Sequence, residues 1–220
     1  KDIQQHYAGW LFYRESSTTW PLCVADSINA PDGLSVAYTD SIPLAAALLR
    51  PMAAALGGTF QYFGWFTLLC YALQGGFGAL LCGLFANGLA APLLGDLLFV
   101  TSPVLLERAF RHTSLGAQFL ILGVLYYYFK LHREGRYASA GLFVLNLVAI
   151  GIHPYFLPMT YAVTLALLLE HGLRTRHWGG PALYLAADLG CTLGLGWCLG
   201  LFYGTASSGG QALYGYFSMN

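Results

Sequence analysis

Apolar positions recur at helical spacing from the start of the chain. Ile3, Tyr7, Trp10, Leu11 and Phe12 share a flank of a helix predicted over residues 2–13. Ser16, Ser17, Thr18 and Thr19 end it, and Ala30-Pro31-Asp32-Gly33 signals a turn. Residues 1–41 are the most polar part of the chain and hold Asp2, Arg14, Glu15, Asp26, Asp32 and Asp40. The pattern then changes. Residues 42–57 are apolar but interrupted by Arg50-Pro51. A full membrane crossing needs about 20 apolar residues, so this stretch predicts a re-entrant or interfacial helix.

Long apolar runs follow. Residues 63–85 carry Gln74 as their one strongly polar side chain, and 89–106 is broken by Pro92, Asp96 and Pro103. Residues 115–129, 138–152 and 155–169 are short for a crossing. Aromatic ends such as Tyr126, Tyr127, Tyr128 and Tyr155 extend them through the interfaces. Residues 182–203 close the set, with Asp188 inside. The prediction is an all-α polytopic bundle over 58–204, with about six spans of the length a bilayer requires. An outward-facing first loop (1–41) carries an interfacial helix, and 205–220 begins a second extracytoplasmic segment. Gly75, Gly76, Gly78, Gly194, Gly196 and Gly200 fall inside spans, where small residues let helix backbones approach closely.

Composition narrows the class further. Of 220 residues, 57% are hydrophobic and 9% charged, with 10 basic against 10 acidic side chains. Soluble domains carry about 25% charged residues, so a water-facing surface of this size could not be covered. The balanced charge offers no attraction for a polyanion, which excludes a nucleic-acid-binding chain. Four of the five cysteines lie in apolar runs and none forms a CxxC pair, so neither a disulfide framework nor a zinc ribbon is implied. The chain opens at Lys1-Asp2 and stops at Asn220 inside an aromatic stretch. It reads as a fragment, with a membrane helix expected upstream and more protein downstream.

Alternation of crossings places the first loop, residues 107–113 and the His153-Pro154 turn on one side, and the basic loops 130–136 and 171–177 on the other. Assigning the basic loops to the cytoplasm turns the first loop outward. Asp2, His6, Arg14, Asp40, Arg50, Arg108, Arg111, His112 and His153 then gather on the outer side. Ionisable groups at membrane depth are costly and tend to be functional.

Each candidate has a bland account beside the chemical one. Asp2 and His6 stand four apart, so they share a helix face and could form a general base; equally, Asp2 could cap the helix. Asp40 precedes an apolar helix with Pro43 in its first turn, where capping is a complete explanation. Arg108, Arg111 and His112 fall at i, i+3 and i+4, suited to a phosphate, while a Glu107 to Arg111 helix pair is the structural alternative. Asp96 and Asp188 could relay protons or bond a neighbouring helix, and Asn146 reads as interhelical glue. P-loop, GxGxxG, GxSxG and HExxH motifs are missing.

An aspartate near the start of the first outer loop, followed by an interfacial helix, resembles the GT-C superfamily of membrane glycosyltransferases. Three stretches look more closely like a bacterial multi-spanning family catalogued as a domain of unknown function and considered GT-C-like. They are DIQQHYAGWLFYR from Asp2, YTDSIPL from Tyr38 and FQYFG from Phe60. His153-Pro154-Tyr155 and the tail GYFSMN from Gly215 fit the same pattern. The resemblance implies a polyprenyl-phosphate sugar donor, an outward-facing polysaccharide or lipid acceptor, and a site facing the periplasm or exterior of a bacterial inner membrane. It makes Asp2 the base that deprotonates the acceptor. Asp40 becomes a second acidic group that places the acceptor or, with Asp2, a divalent cation. No Asp-Asp or Asp-Glu pair follows Asp2, unlike familiar GT-C members. Phosphate holding by Arg108, Arg111, His112, Arg14, Arg50 and His153 is read from chemistry alone. Two rivals stand beside the transferase: a transporter or lipid flippase working through Asp96 and Asp188, and a non-catalytic membrane subunit.

Overall fold

A computed structural model describes residues 2–55 and 57–203, and at Asp2 the backbone alone. The expected segment 205–220, with the tail motif from Gly215, lies outside the described residues. Nine α-helices are present among the described residues, so the all-α class holds. The exception is a ribbon of two antiparallel strands, β1 (Val24–Ala25) and β2 (Leu34–Ser35), registered Val24 to Ser35 and Ala25 to Leu34.

The first helix, α1 (Asp2–Glu15), buries Trp10 and Tyr13 completely or nearly so. Trp10 Nε1 donates to the Phe60 carbonyl at 2.9 Å and the Tyr13 hydroxyl donates to the Leu22 carbonyl, so both rings pack without stranding a polar atom. Two arginines close the loop around this helix. Arg14 donates to the carbonyls of Gly58 (3.1 Å) and Ala53 (2.9 Å). Arg50 donates to the carbonyls of Thr18 (2.6 Å) and Ser16, with its guanidinium over the Tyr13 ring. Residues 42–57 do not make one continuous helix. Pro43 opens a short α2 (Pro43–Leu49), which passes into a 3-10 turn at Arg50–Met52, because Pro51 removes a helical donor.

The remainder is a bundle of legs. Three stretches are long and apolar enough to cross a membrane: α3 (Phe63–Gly83), Thr113–Glu134 containing α6 (Phe119–Glu134), and α8 (Phe156–Thr175). A fourth arises if α4 (Ala90–Val100) and α5 (Pro103–Arg111), bent by 43° at their break, are one broken span. The break sits where Pro103 forbids a continuous helix. The shorter apolar α7 (Ala140–Ile152) rises about 20 Å at 1.5 Å per residue, less than the hydrocarbon core. It packs on α8 and on α9 (Gly179–Cys198).

The legs alternate in direction, and contacts at their ends show it. At one end the Arg133 guanidinium donates to the Leu84 carbonyl, tying the close of α6 to that of α3, and His132 Nδ1 meets Glu170 of α8 at 2.5 Å. The basic stretches 130–136 and 171–177 therefore lie together, as Gly135 beside the Arg174 guanidinium also shows. At the other end the Leu22 N–H donates to the Cys198 carbonyl at 2.9 Å, bringing the first loop to the close of α9.

Glycines allow the closest helix pair. A Cβ on Gly95 would lie 2.7 Å from the Gly78 carbonyl oxygen, and one on Gly78 would lie 2.9 Å from the Gly95 carbonyl oxygen. Gly75 presses on the Asp96 carboxylate in the same α3–α4 contact. Gly76 and Gly194, also expected to pack, face open space. Polar side chains bind α7, α8 and α9 to one another. Buried Asn146 donates to Asp188 Oδ2 at 2.6 Å and to Thr164 Oγ1 at 3.2 Å, and the Tyr161 hydroxyl meets Thr192 Oγ1 at 2.9 Å.

Gly95→Ala is expected to destabilise the α3–α4 pair by about 1–3 kcal/mol, the usual cost of overpacking. Gly76→Ala is expected to be neutral or stabilising by up to about 1 kcal/mol, from helix propensity alone. Denaturant unfolding in detergent, read by helical circular dichroism, compares the two.

Candidate functional site

One carboxylate organises the end of the bundle where the first loop sits. Ser35 caps the 3-10 turn Val36–Thr39 through its side chain, and Asp40 closes that turn in the left-handed region at φ 56°. Aspartate tolerates this region better than bulky residues do. Its N–H returns to the Ala37 carbonyl at 3.3 Å, while its carboxylate meets histidines of other elements. Capping of α2 by Asp40, the structural alternative read from the sequence, does not occur. The N-cap position is Ile42, at φ 52°, and makes no side-chain cap bond. A left-handed β-branched residue costs about 1–2 kcal/mol. Strain of this kind persists where surrounding contacts enforce it, here the Tyr62 hydroxyl on the Ser41 carbonyl and the Ala46 N–H on Ile42.

Three histidines from separate elements meet Asp40. His153, just past α7, is 7% exposed, and its Nε2 lies 3.0 Å from Asp40 Oδ1. The Tyr155 N–H donates to His153 Nδ1 at 3.2 Å. Since Nδ1 accepts, Nε2 carries the proton and donates to the carboxylate. His112, at the C-terminal end of α5, places Nε2 3.5 Å from Asp40 Oδ2, with its Nδ1 3.3 Å from Ser114 Oγ. His6 of α1 is fully buried, its ring 5.1 Å from that of His112 and 6.0 Å from that of Phe63. One ligand atom each from His6, Asp40 and His112 lies within 4.8 Å of the others. Burial raises the Asp40 pKa. The His153 hydrogen bond and the imidazoles of His153, His112 and His6 more than offset this, holding the carboxyl below its ordinary range.

The approach of α1 depends on a residue with no side chain. A Cβ on Gly9 would sit 2.0 Å from Thr39 Oγ1 and 2.4 Å from Ser41 Oγ. Ser41 Oγ instead donates to the His6 carbonyl at 2.7 Å and stands 2.7 Å from Thr39 Oγ1, fixing the helix against the loop that carries Asp40.

A mostly apolar groove of 630 Å³ begins beside this cluster. Its walls are Ile3, Gln4 and Tyr7 of α1, the face Phe63, Gly64, Thr67, Leu68 and Tyr71 of α3, and Ala109 and Phe110 of α5. Tyr7 adjoins His6 in sequence, and the lining residue Thr113 adjoins His112. The volume lies in the range of small-molecule sites, about 300–1,000 Å³.

The expected site residues thus divide. His6, Asp40, His112 and His153 converge. Asp2 opens α1 one turn before His6, and its side chain lies outside the described residues. Arg14 and Arg50 are engaged by loop carbonyls. Arg111 makes an exposed i,i+4 pair with Glu107 at 3.4 Å, and Arg108 is exposed on the same helix. Asp96 and Asp188 belong to different helix pairs, α4 on α3 and α9 on α7. The supports Gly9, Ser41, Ser114 and Tyr155, and the groove, are not among the features to which the sequence points. The i, i+4, i+8 row Phe63, Thr67 and Tyr71 was the available signal for the groove.

Residues 1–220 match the family model described as Domain of unknown function (DUF6311), and the chain belongs to that family. No curated protein and no solved structure matches it.

Gly9→Ala is expected to push α1 off the loop 39–41 and lower stability by about 1–3 kcal/mol. Arg111→Ala, which removes an exposed pair, should change it by less than about 0.5 kcal/mol. Thermal melts in detergent separate these outcomes.

Proposed function

We propose that this DUF6311 member is the membrane part of a GT-C-like glycosyltransferase, built on about six crossings of the kind a bilayer dictates. In this reading it lies in a bacterial inner membrane with its first loop outward. It moves a sugar from a polyprenyl-phosphate carrier to an extracytoplasmic polysaccharide or lipid hydroxyl. The observation that carries the proposal is the apolar groove on candidate span α3, which ends beside a carboxylate–imidazole cluster. A prenyl chain needs an apolar cleft reached from the bilayer, and its phosphate-linked sugar needs polar chemistry at the interface. The exposed Leu68 and Phe110 at the groove fit entry from lipid.

In the reaction, Asp2 takes the proton of the acceptor hydroxyl. The freed oxygen attacks the anomeric carbon, the bond from that carbon to the phosphate oxygen breaks, and the polyprenyl phosphate leaves with the electron pair. Inversion at the anomeric carbon follows from single displacement. The four-residue spacing of Asp2 and His6 in α1 supports a base beside the cluster. Asp40 places the acceptor, with His153 holding its orientation. Arg108 and Arg111, exposed at the end of α5 near the lining residues Ala109 and Phe110, attract the donor phosphate. The alternation of legs supports the crossing number: α3, the α4–α5 pair, α6, α7, α8 and α9 run in turn between the basic end and the cluster end.

The test is release of polyprenyl phosphate from a polyprenyl-phosphate hexose by the full protein in proteoliposomes, with an acceptor extract. Asp2→Asn is expected to lower turnover at least about 100-fold while insertion stays intact, the scale of a lost general base. Thr67→Trp, which fills the groove, is expected to raise KM for the donor about tenfold, or about 1.4 kcal/mol, with kcat less affected. Wild-type turnover in Asp2→Asn removes that residue as base. An unchanged donor KM in Thr67→Trp removes the groove as donor site.

A further inference from the structure

We propose that His6, Asp40 and His112 form a three-ligand site for a divalent transition ion of the zinc type, with His153 as the residue that positions Asp40. The inference stands on the cluster geometry and does not depend on the transferase reading.

The donors come from three separate elements: α1, the turn before α2, and the end of α5. Their ligand atoms all fall within 4.8 Å of one another. Two donors about 2.1 Å from a tetrahedral zinc stand about 3.4 Å apart. Asp40 Oδ2 and His112 Nε2 are 3.5 Å apart, which is long for a charge-assisted hydrogen bond and close to that ligand edge. The two carboxylate oxygens have divided roles. Oδ1 accepts the hydrogen bond from His153 Nε2–H, and Oδ2 is the oxygen nearest His112 Nε2.

The outer contacts repeat what orients metal ligands elsewhere. A ligating imidazole is commonly held through its other nitrogen, and a ligating carboxylate by a hydrogen bond to its second oxygen. Here His112 Nδ1 meets Ser114 Oγ, and Asp40 Oδ1 is held by His153, itself fixed by the Tyr155 N–H. The His6 and His112 rings are 5.1 Å apart centroid to centroid, and those of His112 and His153 are 6.2 Å apart.

The donor set selects the ion. Two imidazole nitrogens and one carboxylate suit zinc and its neighbours, whereas magnesium and calcium prefer oxygen. Three protein ligands leave a fourth position. Side chains of Asp40 and His112 are 22% and 21% exposed, so solvent or a ligand can reach it.

The experiment uses the full protein purified in detergent and stripped with a chelator. Zn²⁺ should bind one ion per chain and raise the melting temperature, as a native-state ligand must. Co²⁺ should give the visible absorption of a low-coordinate nitrogen–oxygen site. Mg²⁺ and Ca²⁺ should do neither. Asp40→Asn and His112→Gln should lower Zn²⁺ affinity at least about 100-fold, and His153→Ala about 10–100-fold. His153→Gln, which keeps a donor toward Asp40, should restore most of the affinity lost in His153→Ala. Asp188→Asn should bind as the wild type does. Metal-free melting within a few degrees of wild type certifies each variant as folded, and the partly exposed His112 carries the test if the buried His6→Ala does not fold. No Zn²⁺-dependent shift in the wild type, or an equal shift in Asp40→Asn and His112→Gln, overturns the site. Loss of transfer in Asp2→Asn without Zn²⁺ binding would refute the ion alone. Zn²⁺ binding without any transfer would refute the transferase alone.

Discussion

The hydrogen bond from His153 Nε2 to Asp40 Oδ1 joins two parts of the chain that are 113 residues apart. It fastens the polar first loop to the turn between α7 and α8. Asp40 closes a 3-10 turn in the left-handed region, and its carboxylate is not spent on capping α2. Replace that geometry by an ordinary helix cap and the carboxylate would be spent on its own backbone. His112 and His6 would then have no common partner. Breaking a buried or half-buried pair also leaves its remaining member without compensation, a cost of about 1–3 kcal/mol for a hydrogen-bonding group.

The molecule separates two kinds of cohesion. Within the bundle, close backbone approach and a few polar side chains hold the legs. Gly78 against Gly95 shows the first, and Asn146 bridging Thr164 and Asp188 shows the second. The first loop is held differently, by guanidiniums on carbonyls and by buried Trp10 and Tyr13. Arg14 and Arg50 thereby satisfy acceptors that a loop without sheet or helix partners would leave open. A rigid loop is what allows the histidine cluster a fixed position beside the groove.

Some features were legible because they depend on neighbours in sequence. The helix beginning at Asp2, the turn at Gly33, the break at Pro103 and the Glu107–Arg111 pair are local consequences of residue type and spacing. Others were open to two readings. A capping role for Asp40 was complete on sequence grounds, yet the αL conformation at Ile42 displaced it, and no local pattern announces a β-branched residue there. Arginines at 14 and 50 looked like anion holders because sequence shows charge, not which carbonyls lie within reach. Gly76 and Gly78 look alike in sequence, but helix rotation faces one to open space and the other to α4.

Composition and periodicity alone determined the helical architecture and the presence of helices apolar and long enough to cross a membrane, because apolar content and 3.6-residue spacing act through each segment by itself. They also supplied the short roster of ionisable residues at one end. Only the tertiary structure decided which of these meet. His6, Asp40, His112 and His153 are brought together by a left-handed turn, a glycine against a loop and the ends of antiparallel legs. Those are relations between distant segments, set by packing, and spacing along a chain carries no record of them.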